Sequence, residues 1–277
     1  MPCILVVGLR ERDSGKTTIA RLLISLLRER GISVCGFKPK AGNHLWYNFE
    51  IVHEALGQGR MYGMDAKILR EASATSLPEE IINPLHRLWV EDSLADVTLN
   101  GLPAFLLDRV TLNPEGEFLL TLNEPAMQRF SKQTSKIFQK LLDRAKQIIG
   151  VSSPEELGQV IEEYYDKAVW TVFEVLKRRY DMLVVESYCD IALPWNGLEN
   201  VIAVVGVKPW RLHLYDASQY LTAARLTMGT RKLEASTSQL ERVVKPIKTF
   251  EWSPSLTPWK NGELRKMLSQ LIEEAGL

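Results

Sequence analysis

Two hydrophobic periods alternate along this chain, and each switch between them marks an element. Ile4-Leu5-Val6-Val7 is a run of consecutive apolar residues, as expected of a strand buried on both faces of a parallel sheet. From residue 17 the spacing changes, and Ile19, Leu22, Leu23, Leu26 and Leu27 recur along one helix face. Arg28, Glu29 and Arg30 make a charged last turn and Gly31 suits the position after it, so the helix is expected over 17–30. Residues 32–37 return to a strand pattern. Strand, helix and strand in this order form a βαβ unit with a right-handed crossover and a parallel sheet.

The same signals continue further on. Residues 182–186 and 201–207 are apolar strands, and 243–250 is a fifth, marked as an edge by Pro246. Helical spacing covers 216–226 and 260–275, and 44–62 reads as loop with a short helix. The fold class is α/β, with a parallel, doubly wound sheet. The stretch 94–179 interrupts it. Residues 105–112 and 118–122 are β-rich runs joined by Asn113-Pro114-Glu115-Gly116-Glu117, which predicts an antiparallel hairpin. Two helices are expected after it, over 125–149 and 154–179. The second starts at Ser152-Ser153-Pro154-Glu155-Glu156, a capped start. Its expected face is Val160, Ile161, Tyr164, Ala168, Val169, Val172, Phe173 and Leu176. The expected organisation is a main domain, 1–93 with 180–277, and an inserted hairpin-plus-helical region, 94–179.

Composition narrows the function classes. The 277 residues are 45% hydrophobic and 25% charged, the profile of a globular protein. Lys plus Arg and Asp plus Glu each number 34, so a bulk polyanionic partner is not indicated. Lys132, Lys136, Lys140, Arg144 and Lys146 give the first inserted helix a basic side. No aromatics are interleaved there as stacking on nucleic acid requires, and a solvated face is the expected reading. Cys3, Cys35 and Cys189 have no metal-like spacing. They read as reduced thiols of a cytoplasmic protein, with Cys3 and Cys35 as core residues on adjacent strands. Met1-Pro2 leads directly into the first strand, so no signal peptide is expected, and no apolar run is long enough to span a bilayer.

The candidate chemistry lies where the first strand ends. Gly8 closes the strand, Leu9-Arg10-Glu11-Arg12-Asp13-Ser14 is a polar loop, and Gly15-Lys16-Thr17-Thr18 opens the helix. Strand, loop and helix with Gly-Lys-Thr at the junction is the layout of a phosphate-binding P-loop. The first helical turn aims N–H groups and the positive end of the helix dipole at an anion. Arg12, Asp13, Ser14, Gly15, Lys16, Thr17 and Thr18 are therefore the candidate nucleotide-binding residues. Lys16 would reach the β- and γ-phosphates, Thr17 would bind Mg²⁺ and Thr18 would help to hold the α-phosphate. The usual glycine five positions before Gly15 is Arg10 here, so the loop is long.

The second strand ends in Gly36-Phe37-Lys38-Pro39-Lys40-Ala41-Gly42. A long loop ending in Gly-Lys-Thr, followed by a strand ending in Gly-Phe-Lys-Pro, resembles dethiobiotin synthetase and its relatives. These form a branch of the P-loop NTPases, in the class that includes MinD-type ATPases and cobyrinate amidases. The resemblance covers 1–90 and 180–250. It implies that Lys38 points to substrate and terminal phosphate, and that Asp65 in Met64-Asp65-Ala66 helps to hold Mg²⁺; an aspartate there equally suits a helix N-cap. It also implies that Glu186, ending the strand Val184-Val185-Glu186, coordinates Mg²⁺ or positions water, with Asp190 a weaker second and Asp13 matching an acid of the family's loop. Asn83-Pro84 resembles a further family segment; His86 beside it is read as packed, with a pocket role as the alternative. The glycine-rich turn that binds the family's diamine is absent, replaced by Ser187-Tyr188-Cys189-Asp190.

The expectation is a Mg-ATP-binding, dimeric ATPase or synthetase-like enzyme. It would carry out phosphoryl transfer or hydrolysis on an unidentified substrate, carboxylate-bearing by the resemblance, without forming dethiobiotin. Lys16, Lys38 and Glu186 are the candidate catalytic residues, and Thr17, Asp65 and Glu186 the candidate metal ligands. Asn-Lys-x-Asp is absent, so guanine specificity has no support. The alternative is a MinD-like nucleotide switch acting on a protein partner. Glu11 stands where those relatives carry a signature lysine, which counts against it. A third reading is a module that binds nucleotide without hydrolysing it.

Overall fold

The computed structural model describes residues 1–90, 98–129, 136–229, 234–253 and 262–276. Its strands, in chain order, are β1 (Cys3–Gly8), β2 (Val34–Phe37), β3 (Lys40–His44), β4 (Leu85–Trp89), β5 (Thr98–Leu99), β6 (Leu102–Pro103), β7 (Phe105–Thr111), β8 (Phe118–Asn123), β9 (Gln147–Val151), β10 (Met182–Glu186), β11 (Val201–Lys208), β12 (Arg211–Tyr215) and β13 (Lys248–Glu251). The helices needed below are α1 (Lys16–Glu29), α2 (Phe49–Gly57) and α3 (Met64–Ser73). The fold is mixed α/β. The chain separates into two compact units, the first comprising Met1–Pro39, Ile68–Ser76 and Leu176–Leu277, the second Lys40–Lys67 and Leu77–Val175.

The first unit holds a six-stranded sheet in the order β13-β12-β11-β1-β10-β2. The four contiguous strands β11-β1-β10-β2 are parallel, and β12 and β13 add on antiparallel beyond β11. Cys3, Ile4, Leu5, Val6 and Val7 are fully buried, which is why β1 reads as an unbroken apolar run. α1 buries Ile19, Leu22, Leu23, Leu26 and Leu27, the predicted face. The strand order corrects one expectation. Cys3 and Cys35 are core residues, but each pairs with Leu183 of β10, which lies between their strands. Burial pushes their thiols up, to about 12 and about 11, so both stay protonated.

A second correction concerns the chain after β11. It returns as β12 through a two-residue turn, Pro209-Trp210, where the sequence suggests a loop leading straight to a helix. Lys208 pairs with Arg211 across this turn, and Trp210 has φ +62°. Proline first and positive φ second is type II turn geometry. The last strand is at the edge as expected, although Pro246 precedes Lys248–Glu251 and does not lie within it.

The second unit holds its own five-stranded sheet, β3-β4-β7-β8-β9. The β7–β8 hairpin is the one predicted. The remainder differs from the expected insertion. The unit begins at Lys40 rather than at 94, because β3 and β4 leave the region assigned to the main domain: β4 pairs with β7, and β3 with β4. β3 has only one buried residue, Asn43, and is held by backbone pairing that no apolar run announces. Among the described residues of 125–149, the expected helix is not found as one element. Glu124–Met127 and Gln139–Arg144 are short helices, and Gln147–Val151 is the strand β9. Ile148 and Ile149, which fit a helical face, belong to an edge strand. Residues 130–135, including Lys132 of the expected basic side, lie outside the described residues. Lys140 and Arg144 donate to Gly57 O and Gln58 O at 2.9 and 2.8 Å, at the C-terminus of α2. They serve that helix's orphan carbonyls.

The second expected helix runs from Pro154 to Arg179, with a π segment at Ile161–Tyr165. The inserted residue of a π turn rotates the helix on one side of it relative to the other. Val160, Ala168, Val169, Val172, Phe173 and Leu176 are buried as predicted, whereas Ile161 is 39% exposed.

Candidate active site in the first unit

Strand register brings the first two side chains together. Val185 of β10 lies opposite Phe37 of β2, so Lys38, one residue on, stands level with Glu186. Neighbouring strands are about 4.8 Å apart, and residues at one level point to one face. Lys38 Nζ accordingly lies 2.6 Å from Glu186 Oε1. The side chains are 4% and 0% exposed. An ion pair this deep persists only because each charge compensates the other.

The loop after β1 supplies the rest. β1 lies on the other side of β10, with Val6 opposite Glu186. Leu9 N donates to Val207 O at 2.8 Å and holds the start of the loop to β11. The loop passes through Asp13 at φ +52° and reaches α1 through Gly15 at φ +91°, a conformation that glycine adopts without penalty. Gly15 is the N-cap of α1, no side chain caps this end, and no acidic residue occupies the first turn. Lys16 turns back over the loop: its buried Nζ donates to Cys189 O at 2.8 Å and lies 3.3 Å from Ser14 Oγ. Thr17 Oγ1 donates to Glu186 Oε1 at 2.9 Å. Ser14 is buried, Thr18 is half-buried, and Arg12 and Asp13 are exposed on the loop.

Two further segments, 187–190 and the one around Thr237, hold these residues in place. After Glu186, Ser187 N donates to Val6 O at 2.9 Å, and Cys189 takes φ +43° to turn its carbonyl to Lys16. Burial raises the Cys189 thiol above its ordinary value, with Lys16 and Lys38 opposing the shift. Thr237 Oγ1 donates to Gly8 O at 2.7 Å, and Thr237 N donates to Asp190 O at 2.7 Å. Thr237 is 229 residues from Gly8, and no local signal links them.

The chain matches no protein-family model and no curated protein. The assignment therefore rests on its own residues. Of the candidates, Lys16, Thr17, Lys38 and Glu186 form one cluster in the first unit. Asp65 lies in the first turn of α3, in the segment that belongs to the second unit. It is one residue inside the helix and so is not its N-cap. His86 is also in the second unit, where it is buried at 2% exposure with Nδ1 2.8 Å from Asn83 Oδ1. Among the described residues, no group of three or more His, Cys, Asp or Glu side chains is placed to hold a metal. A divalent cation in the first unit would need hydroxyl, carboxylate and ligand oxygens together. Among the described residues no helix is long and apolar enough to cross a membrane.

Proposed function

We propose that the first unit binds Mg-ATP through a P-loop and uses it for phosphoryl transfer or hydrolysis, in the manner of dethiobiotin synthetase but on a different substrate. The observation that carries this reading is the convergence on Glu186. The hydroxyl of the Gly-Lys-Thr threonine and the ammonium of the Lys-Pro lysine meet on one carboxylate oxygen, beside a loop whose lysine turns inward. This cluster lies at the C-terminal ends of parallel strands, where chain order reverses around β1, the usual ligand position in such sheets.

The residues fit a phosphate ligand and its metal. Gly8 forms a cradle: a Cβ there would lie 2.6 Å from Lys16 Nζ, 2.8 Å from Ser14 Oγ and 3.0 Å from Arg10 O. The first turn of α1 carries amides and a lysine but no carboxylate, which suits an anion. Thr17 and Glu186 offer the hard oxygen donors that Mg²⁺ prefers, and they would hold it. When bound, the metal supplies positive charge between the phosphates.

The chain's own groups do the remaining work. Lys16 neutralises charge on the transferred phosphoryl group, and the loop amides hold its oxygens in fixed directions. Lys38 orients an acidic substrate or takes up terminal-phosphate charge. Glu186 keeps Thr17 and Lys38 in register. The segment Ser187-Tyr188-Cys189-Asp190 closes over Lys16 where the resemblance would have a glycine-rich diamine site, so a diamine substrate is not proposed. By the same resemblance the protein would act as a homodimer, which sedimentation would test.

Calorimetric titration of ATP with and without magnesium tests the reading. Wild-type protein is expected to give magnesium-dependent heat, and Lys16→Ala to lose it. Absence of heat from the wild type under both conditions defeats the proposal.

A further inference from the structure

Thr17 and Glu186, the two proposed metal ligands of the first unit, meet at one atom. Glu186 Oε1 accepts from Thr17 Oγ1 at 2.9 Å and from the Lys38 ammonium at 2.6 Å. The carboxylate is fully buried and requires a positive neighbour. Lys38 is that neighbour. A divalent cation held by the same hydroxyl and carboxylate would lie within a few ångströms of the Lys38 ammonium. Two cations a few ångströms apart in a poorly solvated site repel strongly.

We propose that Lys38 is the resident counter-ion of the nucleotide-free site and that a divalent cation replaces it. This rests on the nucleotide reading above. Lys38 leaves Glu186 when the metal arrives with the nucleotide, and its flexible four-carbon stem moves the ammonium without moving the backbone. The freed ammonium then faces an anionic group, either the terminal phosphate or the acid of the second substrate. Metal loading and the creation of the substrate's cationic anchor are thus one event. This sets the order of binding: metal-nucleotide first, acidic substrate second.

Manganese, visible by electron paramagnetic resonance, probes the exchange on the full chain without nucleotide. Wild-type protein is expected to leave Mn²⁺ free. Lys38→Gln and Lys38→Met remove the charge and are expected to bind one Mn²⁺ more than about tenfold more tightly. Lys38→Arg keeps the charge and is expected to gain nothing. Equal affinity in wild-type and neutral variants overturns the proposal.

Should the neutral variants not fold, ¹⁵N-lysine spectra of the wild type decide. The Lys38 Nζ signal, assigned by its loss in Lys38→Arg, is expected to be unchanged by ATP in EDTA and to shift with Mg-ATP. An unshifted signal with bound Mg-ATP overturns the exchange while leaving the nucleotide reading intact. Failure of ATP to bind at all defeats the nucleotide reading, and this inference with it.

Discussion

Both units bury charged side chains, and they do so in opposite ways. In the second unit, Arg109 of β7 is fully buried in the interior of its strand. It donates to Met61 O, Pro84 O, Asn83 O and Thr111 Oγ1. Burial pushes its guanidinium down, to about 10, with Glu80 opposing, and it remains charged at neutral pH. Arg60 pairs with Glu79 and Glu80, and Arg87 makes a two-pronged bond to Asp108 at 2.7 and 2.6 Å. These charges are tied to backbone carbonyls and to carboxylates in fixed, forked geometry, the arrangement arginine suits. In the first unit the buried cations are lysines, Lys38 just after β2 and Lys16 at the start of α1, beside a loop flanked by Gly8 and Gly15. Lysine is a mobile point charge. Buried arginine in mid-strand ties loops to a sheet, whereas buried lysine at the C-terminal edge of parallel strands can be exchanged for a ligand's charge.

Substitutions test that contrast. The largest effect is expected from Arg109→Met, which removes the guanidinium donor from three buried acceptors, Met61 O, Asn83 O and Thr111 Oγ1, while Pro84 O keeps Thr111 N. At about 1–3 kcal/mol each, the loss is roughly 3–9 kcal/mol, read by denaturant unfolding; a change under about 1 kcal/mol would break the comparison. Glu186→Gln leaves Lys38 buried without its carboxylate and is expected to cost about 3–5 kcal/mol. Here the proposed function adds a second readout: Mg-ATP binding should weaken as well, whereas no such loss is expected of a purely structural pair.

Lys16→Ala sharpens the comparison from the functional side. Its Nζ reaches a carbonyl and a hydroxyl beside the loop, and its loss should lower turnover about 100- to 1000-fold, as for loss of one transition-state donor. Gly8→Ala should behave similarly but more mildly. The added methyl displaces the ends of Lys16 and Ser14, and nucleotide affinity is expected to fall about tenfold, a difference of about 1.4 kcal/mol. Affinity unchanged in Gly8→Ala would mean that no ligand depends on this cradle.

The smallest effect is set by pH. Burial raises the Glu80 carboxyl, but the hydrogen bonds and charge of Arg60, with the charge of Arg109, outweigh it and hold the group below its ordinary value of 4.5. A depressed carboxylate stabilises the fold in full above that ordinary value and loses its contribution as pH falls through the lower folded one. Melting temperature should therefore drop on acidification below about 4.5, and Glu80→Gln should flatten that part of the profile.

Much of the first unit is legible because its elements are defined locally. β1, the loop and α1 are a strand run, a polar break and a helical face in succession, and Lys16 and Thr17 are found from their spacing. The second unit hides its sheet for a physical reason. β3 buries only Asn43 and β9 is largely exposed, so neither carries a strand's apolar alternation, and both are held by backbone pairing. The π segment at Ile161–Tyr165 likewise leaves no compositional mark, yet it moves Ile161 off the buried face.

By itself, the sequence determined the strand-loop-helix start, the lysine and threonine at its junction, and the acid and lysine that each close a buried strand. Only the tertiary structure decided that β10 lies between β1 and β2, and hence that Thr17, Lys38 and Glu186 share one oxygen. β1, β2 and β10 are equally apolar, and a local pattern reads the same whatever order they take in the sheet. Their order is set by crossover and packing between residues far apart in the chain. That order turns three separate candidates into one site.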